Sequence, residues 1–332
     1  MADTSVRNGA RPLARPASGR APDPAARALC VAVIGLGAMG LPMARRLASA
    51  LPVSVFDVDR ARRALAAGTG VVGAGSITPA ETPADAVRTA DVAVLAVRDQ
   101  TQADEALFGP DGVTTTMRPG AVVLFTSTVG PDVVRAAAAR LAEHDLLIVD
   151  APVSGGPARA GDGDLLIVAG AGEAALALAR PVLDLLASTL TVVGPNPGDG
   201  QALKAINQLL AGVHIAAAAE AVALARGLGL DPRTVIDSLS RGAAGSFMLS
   251  DRGPRMVQAY EEEGAEVRSR LDIFVKDMGI VTGIAGAAHV PVPLAAAAEQ
   301  LYLMGERAGL AAQDDSSIVT VLSPLQTSKE SR

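Results

Sequence analysis

Apolar residues between positions 31 and 194 fall into short runs that are rich in valine and bounded by Gly, Pro or Asp. Such runs are typical of strands that a sheet buries on both faces. Stretches of helical composition, such as LPMARRLASA and PDVVRAAAARLAEH, lie between them. The alternation predicts an α/β fold in which a doubly wound parallel sheet carries helices on both faces. The predicted strands are VAVIG (31–35), VSVFD (53–57), VAVLAV (92–97), AVVLF (121–125), LLIVD (146–150), LLIVAG (165–170) and TLTVVG (189–194).

The pattern changes after Gly194. PNPGDG (195–200) is a linker or helix-start signal, and the chain beyond it is almost wholly helical, with a long helix predicted over 200–226 and a second over 232–240. We therefore expect an α/β domain over 29–194 and an all-helical domain over 195–325 that begins with a helix joining the two. Residues 1–28 have five arginines, as a mitochondrial transit peptide would, but their prolines would break its helix. A disordered tail is expected there.

A glycine motif follows the first predicted strand. Gly35, Gly37 and Gly40 form G-x-G-x-x-G between a strand and a helix, the context of a Rossmann-type dinucleotide fingerprint. The loop Gly35-Leu36-Gly37-Ala38-Met39-Gly40 is expected to hold a pyrophosphate through its backbone N–H groups. Asp57, which ends the second strand, would accept hydrogen bonds from the adenosine ribose and repel a 2′-phosphate. The sequence thus favours NAD over NADP, although Arg60, Arg62 and Arg63 weaken that preference.

Composition excludes several classes of partner. The net charge of −6, the pI near 5.2 and an aromatic content of 2% argue against nucleic acid. The longest apolar run, 209–225, is short for a membrane span and contains His214 and Glu220, so a buried helix is expected. The single cysteine, Cys30, cannot form an internal disulfide, which favours the cytoplasm. The three histidines have no metal-ligand spacing, so we expect no metal.

Two further segments carry candidate chemistry. Ser154-Gly155-Gly156 follows the strand ending at Asp150, where open α/β sheets place ligands. It is either an anion nest for a small carboxylate or an ordinary glycine turn. Lys204, Asn207 and Gln208 lie at i, i+3 and i+4, on one face of the long helix. Lys204 is either a solvated surface lysine or an acid/base group whose pKa is lowered by burial and by a cationic nicotinamide ring.

The chain resembles the β-hydroxyacid dehydrogenase family from about 31 to 322. The resemblance is carried by four ordered blocks, GLGAMGLPMA, DAPVSGGPARAGDG, GDGQALKAINQ and FVKDMG, and the helical half is most similar to the L-threonate dehydrogenase branch. It implies a nicotinamide enzyme in which Lys204 is the general acid/base, Ser154, Gly155 and Gly156 bind substrate, and Asn207 or Gln208 assists. It also implies cofactor contacts from Arg98, Asp99, Thr128 and Lys276, and a homodimer or homotetramer.

Some residues depart from that branch. Gly245-Ser246-Phe247 stands where the branch usually has Asn-Ser-Trp, in a segment expected to line the pocket, and Arg98 replaces a neutral asparagine. These departures leave the substrate open. A sugar acid such as L-threonate is expected, with 3-hydroxyisobutyrate dehydrogenase and 2-hydroxy-3-oxopropionate reductase as alternative activities. An imine reductase usually lacks a lysine at this position, and a non-catalytic dinucleotide-binding scaffold would have lost it, so Lys204 disfavours both.

Overall fold

The computed structural model describes residues 28–68 and 75–324. The predicted tail, apart from Ala28, and residue 325 lie outside the described residues. Within them, the strands of one sheet are β1 (Val31–Ile34), β2 (Pro52–Phe56), β3 (Ser76–Pro79), β4 (Val92–Leu95), β5 (Val122–Phe125), β6 (Leu147–Asp150), β7 (Val153–Ser154), β8 (Leu165–Gly170) and β9 (Ala187–Gly194).

Helices alternate with these strands and then continue alone after β9. Those of the α/β half are α1 (Gly40–Ala48), α2 (Arg60–Ala67), α3 (Pro83–Val87), α4 (Gln100–Phe108), α5 (Pro131–Ala142), α6 (Gly156–Asp162) and α7 (Glu173–Leu186), with a 3-10 turn at Val113–Thr115. Those of the helical half are α8 (Asp199–Gly227), α9 (Pro232–Ser240), α10 (Phe247–Gln258), α11 (Leu271–Ala287), α12 (Pro293–Arg307) and α13 (Val319–Leu322), with a 3-10 turn at Asp315–Ile318.

The sheet has the strand order β3-β2-β1-β4-β5-β6-β8-β7, and β9 also pairs with β8. All neighbours from β3 to β6 are parallel, as predicted. The sheet is thus mainly parallel, and the exception lies beyond β6, where β8 runs antiparallel to both β6 and β7. The chain reverses there through the Ser-Gly-Gly turn and the short helix α6, which ends at Gly163 in a left-handed conformation. No full crossover helix separates β6 from β8.

Alternating side chains of each strand build two cores, one on each face of the sheet. Val31 and Val33 of β1 pack on the face covered by α1 and α7, whereas Ala32 and Ile34 pack on the face covered by α3, α4 and α5. All seven predicted strands are present. The sequence analysis missed β3, a mostly exposed edge strand of sequence SITP, and β7, which has two residues. Neither contains the apolar run on which the prediction depended.

Helix α8 is the centre of the helical half and has the predicted bounds to within one residue. It packs tightly on α11, because a Cβ added to Gly212 would lie 2.3 Å from Met278 Sδ, and Tyr302 of α12 donates a hydrogen bond to Gly212 O at 2.9 Å. Among the described residues, α8 alone is long and apolar enough to cross a membrane, and half of that apolar stretch is buried within the protein. The helix forms part of the third core, with α10, α11 and α12.

Candidate active site

The glycine-rich loop lies between the end of β1 and the start of α1. Gly35 has a φ of +94°, which favours glycine, and a Cβ added there would lie 2.4 Å from Ala96 O. A Cβ on Gly40 would lie 1.8 Å from Gly35 O, so the first turn of α1 packs directly on the loop. Gly37 differs, because no atom lies within 4 Å of an added Cβ there. The backbone at Gly37 therefore faces open space, which a pyrophosphate would fill.

The remaining loop residues have different surroundings. The side chain of Leu36 is buried in the core, and its N–H donates to Asp57 Oδ2 at 2.6 Å. Ala38 is exposed and Met39, which precedes α1, is half-buried. The N–H groups of Gly35 and Leu36 are thus both used within the protein, because Gly35 N donates to Phe56 O at 2.8 Å. Residues 37–40 form the part of the loop left to face a phosphate.

Asp57 lies just beyond β2 and is held by the loop. Besides Leu36 N, its carboxylate accepts a hydrogen bond from Asp59 N at 2.8 Å, and only 5% of the residue is exposed. Arg62 Nη1 lies 3.6 Å from Asp57 Oδ2, whereas Arg63 donates to Asp57 O and pairs with Glu81. The carboxylate thus has a fixed position beside the loop, and Arg62 is the arginine next to it.

Helix α11 contacts the loops that follow β4 and β5. Lys276 Nζ donates to Thr128 O at 2.6 Å, and the guanidinium of Arg98 pairs with Asp272, one turn before Lys276, at 2.5 Å. These contacts join the helical half to the carboxyl edge of the sheet, where the cofactor residues were predicted. Arg98 reaches across to α11, and Asp99 caps α4 by accepting from Gln102 N.

The Ser-Gly-Gly segment forms a strand-to-helix turn. Ser154 ends β7, Gly156 begins α6, and Gly155 and Gly156 have φ of +141° and +77°. Nothing lies within 4 Å of a Cβ added to Gly156, so this part of the turn is open. Both glycines occupy backbone conformations that L side chains rarely adopt.

Lys204 lies directly against this turn, and its Nζ donates a hydrogen bond to Ser154 Oγ at 2.8 Å. Only 7% of the lysine is exposed. Burial lowers the pKa of Lys204 from 10.5 to about 8, with a smaller lowering from the like charge of Lys276 and an opposing effect of Asp277. A nicotinamide was expected to supply the like charge, but Lys276 already supplies one within the protein.

Gln208 and Asn207 extend the same face of α8. Gln208 Nε2 donates to Asp277 Oδ2 at 2.5 Å, and its Oε1 accepts from Asn207 Nδ2 at 2.9 Å. Lys276 Nζ lies 2.8 Å from Asp277 Oδ1 as an ion contact without hydrogen-bond alignment. Gln208 is buried and its amide is used within the protein, whereas Asn207 is exposed. Of the two amides predicted to assist, Asn207 is the one placed at the surface of the site.

Each half of the chain matches a known protein family model. Residues 30–194 match the family model described as the NAD binding domain of 6-phosphogluconate dehydrogenase. Residues 198–322 match the one described as NAD-binding of NADP-dependent 3-hydroxyisobutyrate dehydrogenase. The L-threonate dehydrogenase of Cupriavidus necator is 38% identical over 291 residues, which are 88% of this chain and 95% of that protein. The chain belongs to the β-hydroxyacid dehydrogenase family.

Solved structures agree with this assignment. A crystal structure of 3-hydroxyisobutyrate dehydrogenase from Salmonella typhimurium has a TM-score of 0.78 and 34% identity, covering 88% of this chain and 99% of that one. Psf3 in complex with NADP+ and 2-OPP has a TM-score of 0.77 and 25% identity, covering 88% of this chain and 100% of that one. This β-hydroxyacid dehydrogenase is therefore a nicotinamide-dependent oxidoreductase that acts on a hydroxyl group.

The distribution of lysine in this dehydrogenase is uneven. The chain has three lysines among its 29 basic residues. Lys204 and Lys276 both lie among the side chains around Ser154 and Asp277. Lys329 lies outside the residues that the structure describes. Within the described ranges, every other long basic side chain is an arginine, which cannot lose its proton at physiological pH. Both lysines of the described ranges thus lie in the same cluster, which also contains Ser154, Gln208 and Asp277.

Sequence reasoning missed the residues that hold the lysine-bearing helix in place. The buried carboxylate of Asp150 accepts from Gly198 N and Gln201 N through Oδ2, each at 2.9 Å, and from Gln201 Nε2 through Oδ1. Gln201 Nε2 also donates to Ser127 O, and its Oε1 accepts from Val129 N. Burial raises the pKa of Asp150 despite these bonds. The sequence signal was a polar residue at the end of a buried strand and a glutamine one turn before Lys204.

Gly245 and Phe247, which depart from the threonate branch, are both exposed. Phe247 begins α10 and is 73% exposed, and a Cβ on Gly245 would lie 2.6 Å from Ser240 O. An asparagine at 245 would therefore require this loop to take another path. That the segment lines the pocket stays a prediction. Over 28–68 and 75–324, no three His, Cys, Asp or Glu side chains are grouped to hold a metal ion.

Proposed function

We propose that this dehydrogenase oxidises a small sugar acid such as L-threonate, with NAD as the hydride acceptor and Lys204 as the general base. The observation that carries the proposal is the 2.8 Å contact between Lys204 Nζ and Ser154 Oγ, made by a buried lysine whose pKa is lowered to about 8. A group with that pKa exchanges protons efficiently near neutral pH. The 38% identity to an L-threonate dehydrogenase supports the choice of substrate class.

The chain's own residues would act in a simple sequence. Ser154, Gly155 and Gly156 bind the substrate carboxylate through one hydroxyl and two backbone N–H groups. That contact places the substrate hydroxyl beside Lys204, whose neutral amine takes its proton, while Asn207 supports the hydroxyl. The loop at residues 37–40 would hold the dinucleotide, which would supply the hydride acceptor for the same carbon. The network of Asp150 and Gln201 keeps α8, and so Lys204 Nζ, at a fixed distance from the turn.

The preference for NAD rests on Asp57. Its carboxylate is fixed by Leu36 N and Asp59 N at the place where the adenosine ribose would lie, so a 2′-phosphate would meet a negative charge. Two of the comparisons name NADP, in a family description and in the bound ligand of Psf3. Arg62, 3.6 Å from the carboxylate, is the residue through which NADP would be accepted. Equal efficiency with both cofactors would overturn the preference.

The decisive experiment is a panel of initial rates with L-threonate, D-erythronate, 3-hydroxyisobutyrate and D-glycerate, each with NAD and with NADP. We expect a four-carbon sugar acid with NAD to have the highest kcat/KM. A preference for 3-hydroxyisobutyrate, or for the reduction of 2-hydroxy-3-oxopropionate, would replace the substrate and leave the base in place. If no substrate turns over while NAD binds, the non-catalytic scaffold becomes the better description.

The role of Lys204 is tested separately. Lys204→Met should lower kcat by at least about 100-fold, which is the lower range for the loss of an acid/base group. NAD binding measured by calorimetry should stay within about threefold of the original chain, because the lysine is not expected to hold the dinucleotide. A kcat close to that of the unchanged enzyme would refute the assignment.

We also propose a cytoplasmic homodimer or homotetramer that associates through the helical half. Ile206, Leu210 and Leu224 of α8 and Leu228, which follows its last residue, are each more than half exposed and lie along one helix face. At 1.5 Å per residue this apolar stripe is about 33 Å long. Exposed apolar patches can mark protein–protein contacts, and a second copy supplies the same residues. Light scattering at micromolar concentration that gives the mass of a monomer, 33.4 kDa, would contradict this.

A further inference from the structure

The contact between Ser154 and Lys204 also has the geometry of a nucleophile paired with a base. A serine hydroxyl within hydrogen-bond distance of a lysine that can be neutral is the arrangement of Ser-Lys hydrolases, in which the amine takes the proton of the nucleophile. Here the two atoms are 2.8 Å apart. Lys204 is buried, whereas Ser154 is only partly buried and the following Gly155 is exposed. The nucleophile is thus partly open to a ligand, while most of the base is buried.

The backbone around Ser154 completes the arrangement. Ser154 ends β7 and is followed by the turn into α6, and hydrolases commonly place their nucleophile on a strand-to-helix turn. The residue after such a nucleophile supplies a backbone N–H to the oxyanion. Gly155 occupies that position, and at Gly156 the space in which a side chain would begin is open. The open space at Gly156 leaves room beside Ser154 for a small ester carbonyl.

We propose that Ser154 and Lys204 hydrolyse small carboxylic esters, in a reaction that uses neither NAD nor the hydroxy-acid substrate. Ser154 Oγ attacks the carbonyl carbon and forms a C–O bond, while neutral Lys204 takes the hydroxyl proton. The bond to the leaving alcohol breaks, and the alcohol takes that proton from Lys204. Water then attacks the acyl-serine with Lys204 again as the base, the acyl bond to Oγ breaks, and the proton returns to Ser154. The sum is ester plus water to acid plus alcohol.

Charged groups around the lysine set the pH at which this occurs. Asp277 stabilises the protonated amine, Lys276 disfavours it, and burial disfavours it most. Hydrolysis should therefore rise with pH through a midpoint of about 8, the value to which the pKa of Lys204 is lowered. Asp150, the buried carboxylate at the end of β6, is fully hydrogen-bonded to Gly198 and Gln201 and faces the start of the same helix.

The test is the cofactor-free hydrolysis of 4-nitrophenyl acetate by the full chain. Ser154→Ala and Lys204→Met should each lower the rate at least about tenfold, and Ser49→Ala, at the end of α1 and outside the site, should leave it unchanged. Circular dichroism of each variant establishes that it is folded. Mass spectrometry after a rapid acid quench should find the acetyl group on Ser154.

Two results would overturn the proposal. One is hydrolysis by Ser154→Ala at the rate of the unchanged chain. The other is an acetyl group found on Lys204 Nζ in place of Ser154, because the lysine would then be a simple nucleophile. Either result leaves the dehydrogenase proposal standing, since that is measured with NAD and a hydroxy acid. Conversely, a variant that loses dehydrogenase activity but still hydrolyses the ester would show that the two activities are separable and leave the hydrolase proposal standing.

Discussion

Replacement of Lys204 by methionine should stabilise the protein while it removes turnover. Methionine keeps the unbranched stem of this buried side chain and removes the ammonium. The pKa of Lys204 is lowered from 10.5 to about 8, and each pKa unit corresponds to ~1.4 kcal/mol between the two protonation states. Holding the charge in the folded chain therefore costs about 3 kcal/mol. Loss of the hydrogen bond to Ser154 offsets about 1 kcal/mol of the gain.

The net gain should be about 2 kcal/mol near pH 7, or a rise in Tm of about 3 °C for a chain of 332 residues. It should also depend on pH in one direction. Because the folded chain binds the lysine proton more weakly, the cost is fully present below about pH 8 and disappears as the pH rises towards 10.5. The stability difference between the methionine variant and the unchanged chain should shrink over that interval.

Urea unfolding of both chains at several pH values measures this difference directly. Lys204→Arg is the matched control, because a guanidinium keeps its charge when buried and should give no gain. A methionine variant that is less stable than the unchanged chain near pH 7 would refute the reasoning. So would a gain that is the same at about pH 7 and about pH 10, since burial of a titrating charge would not then be its cause.

Three other predictions concern the loop, the cofactor and the helix position. Gly37→Ala should fold normally yet weaken NAD binding, measured by calorimetry, at least about tenfold. Gly40→Ala should instead lower Tm sharply, because its Cβ would lie 1.8 Å from a carbonyl oxygen. Equal effects of the two variants on NAD binding and on Tm would contradict this. Asp57→Ala should raise the ratio of kcat/KM for NADP to that for NAD at least about tenfold, and an unchanged ratio would remove Asp57 from cofactor choice. Gln201→Leu should cost about 3 kcal/mol in urea unfolding by leaving buried groups unpaired, and a loss below about 1 kcal/mol would show that they find other partners.

Local patterns were enough for much of the fold. Short valine-rich runs predicted seven strands because a parallel sheet buries both faces of each strand and leaves little room for polar residues. The bounds of α8 followed from PNPGDG and the helical spacing after it. The antiparallel return to β8 was not predictable in this way, because a strand carries the same apolar run in either direction. The direction of β8 depends on the turn at Gly155 and Gly156, and the amino-acid sequence alone does not specify the geometry of that turn.

In the candidate site too, local features were predictable from the sequence and long-range contacts were not. The spacing of Lys204, Asn207 and Gln208 correctly indicated one helix face, since that depends on residues within two turns. It did not indicate that Gln208 bonds to Asp277, 69 residues away, or that Arg98 pairs with Asp272, 174 residues away. Such pairings are set by the packing of α11 against the sheet. A polar residue on a helix face can serve the ligand or the protein, and its distant partner decides which.

The scarcity of lysine makes this chain unusually easy to follow by spectroscopy. If lysine alone is supplied with carbon-13 during growth, the chain gives three labelled side chains, two of them within the site. The methylene next to each amine changes its chemical shift when the amine loses its proton. The ionisation of Lys204 is thus observable in the intact enzyme without mutation. The same three signals would report whether a dinucleotide or a carboxylate ligand alters that ionisation.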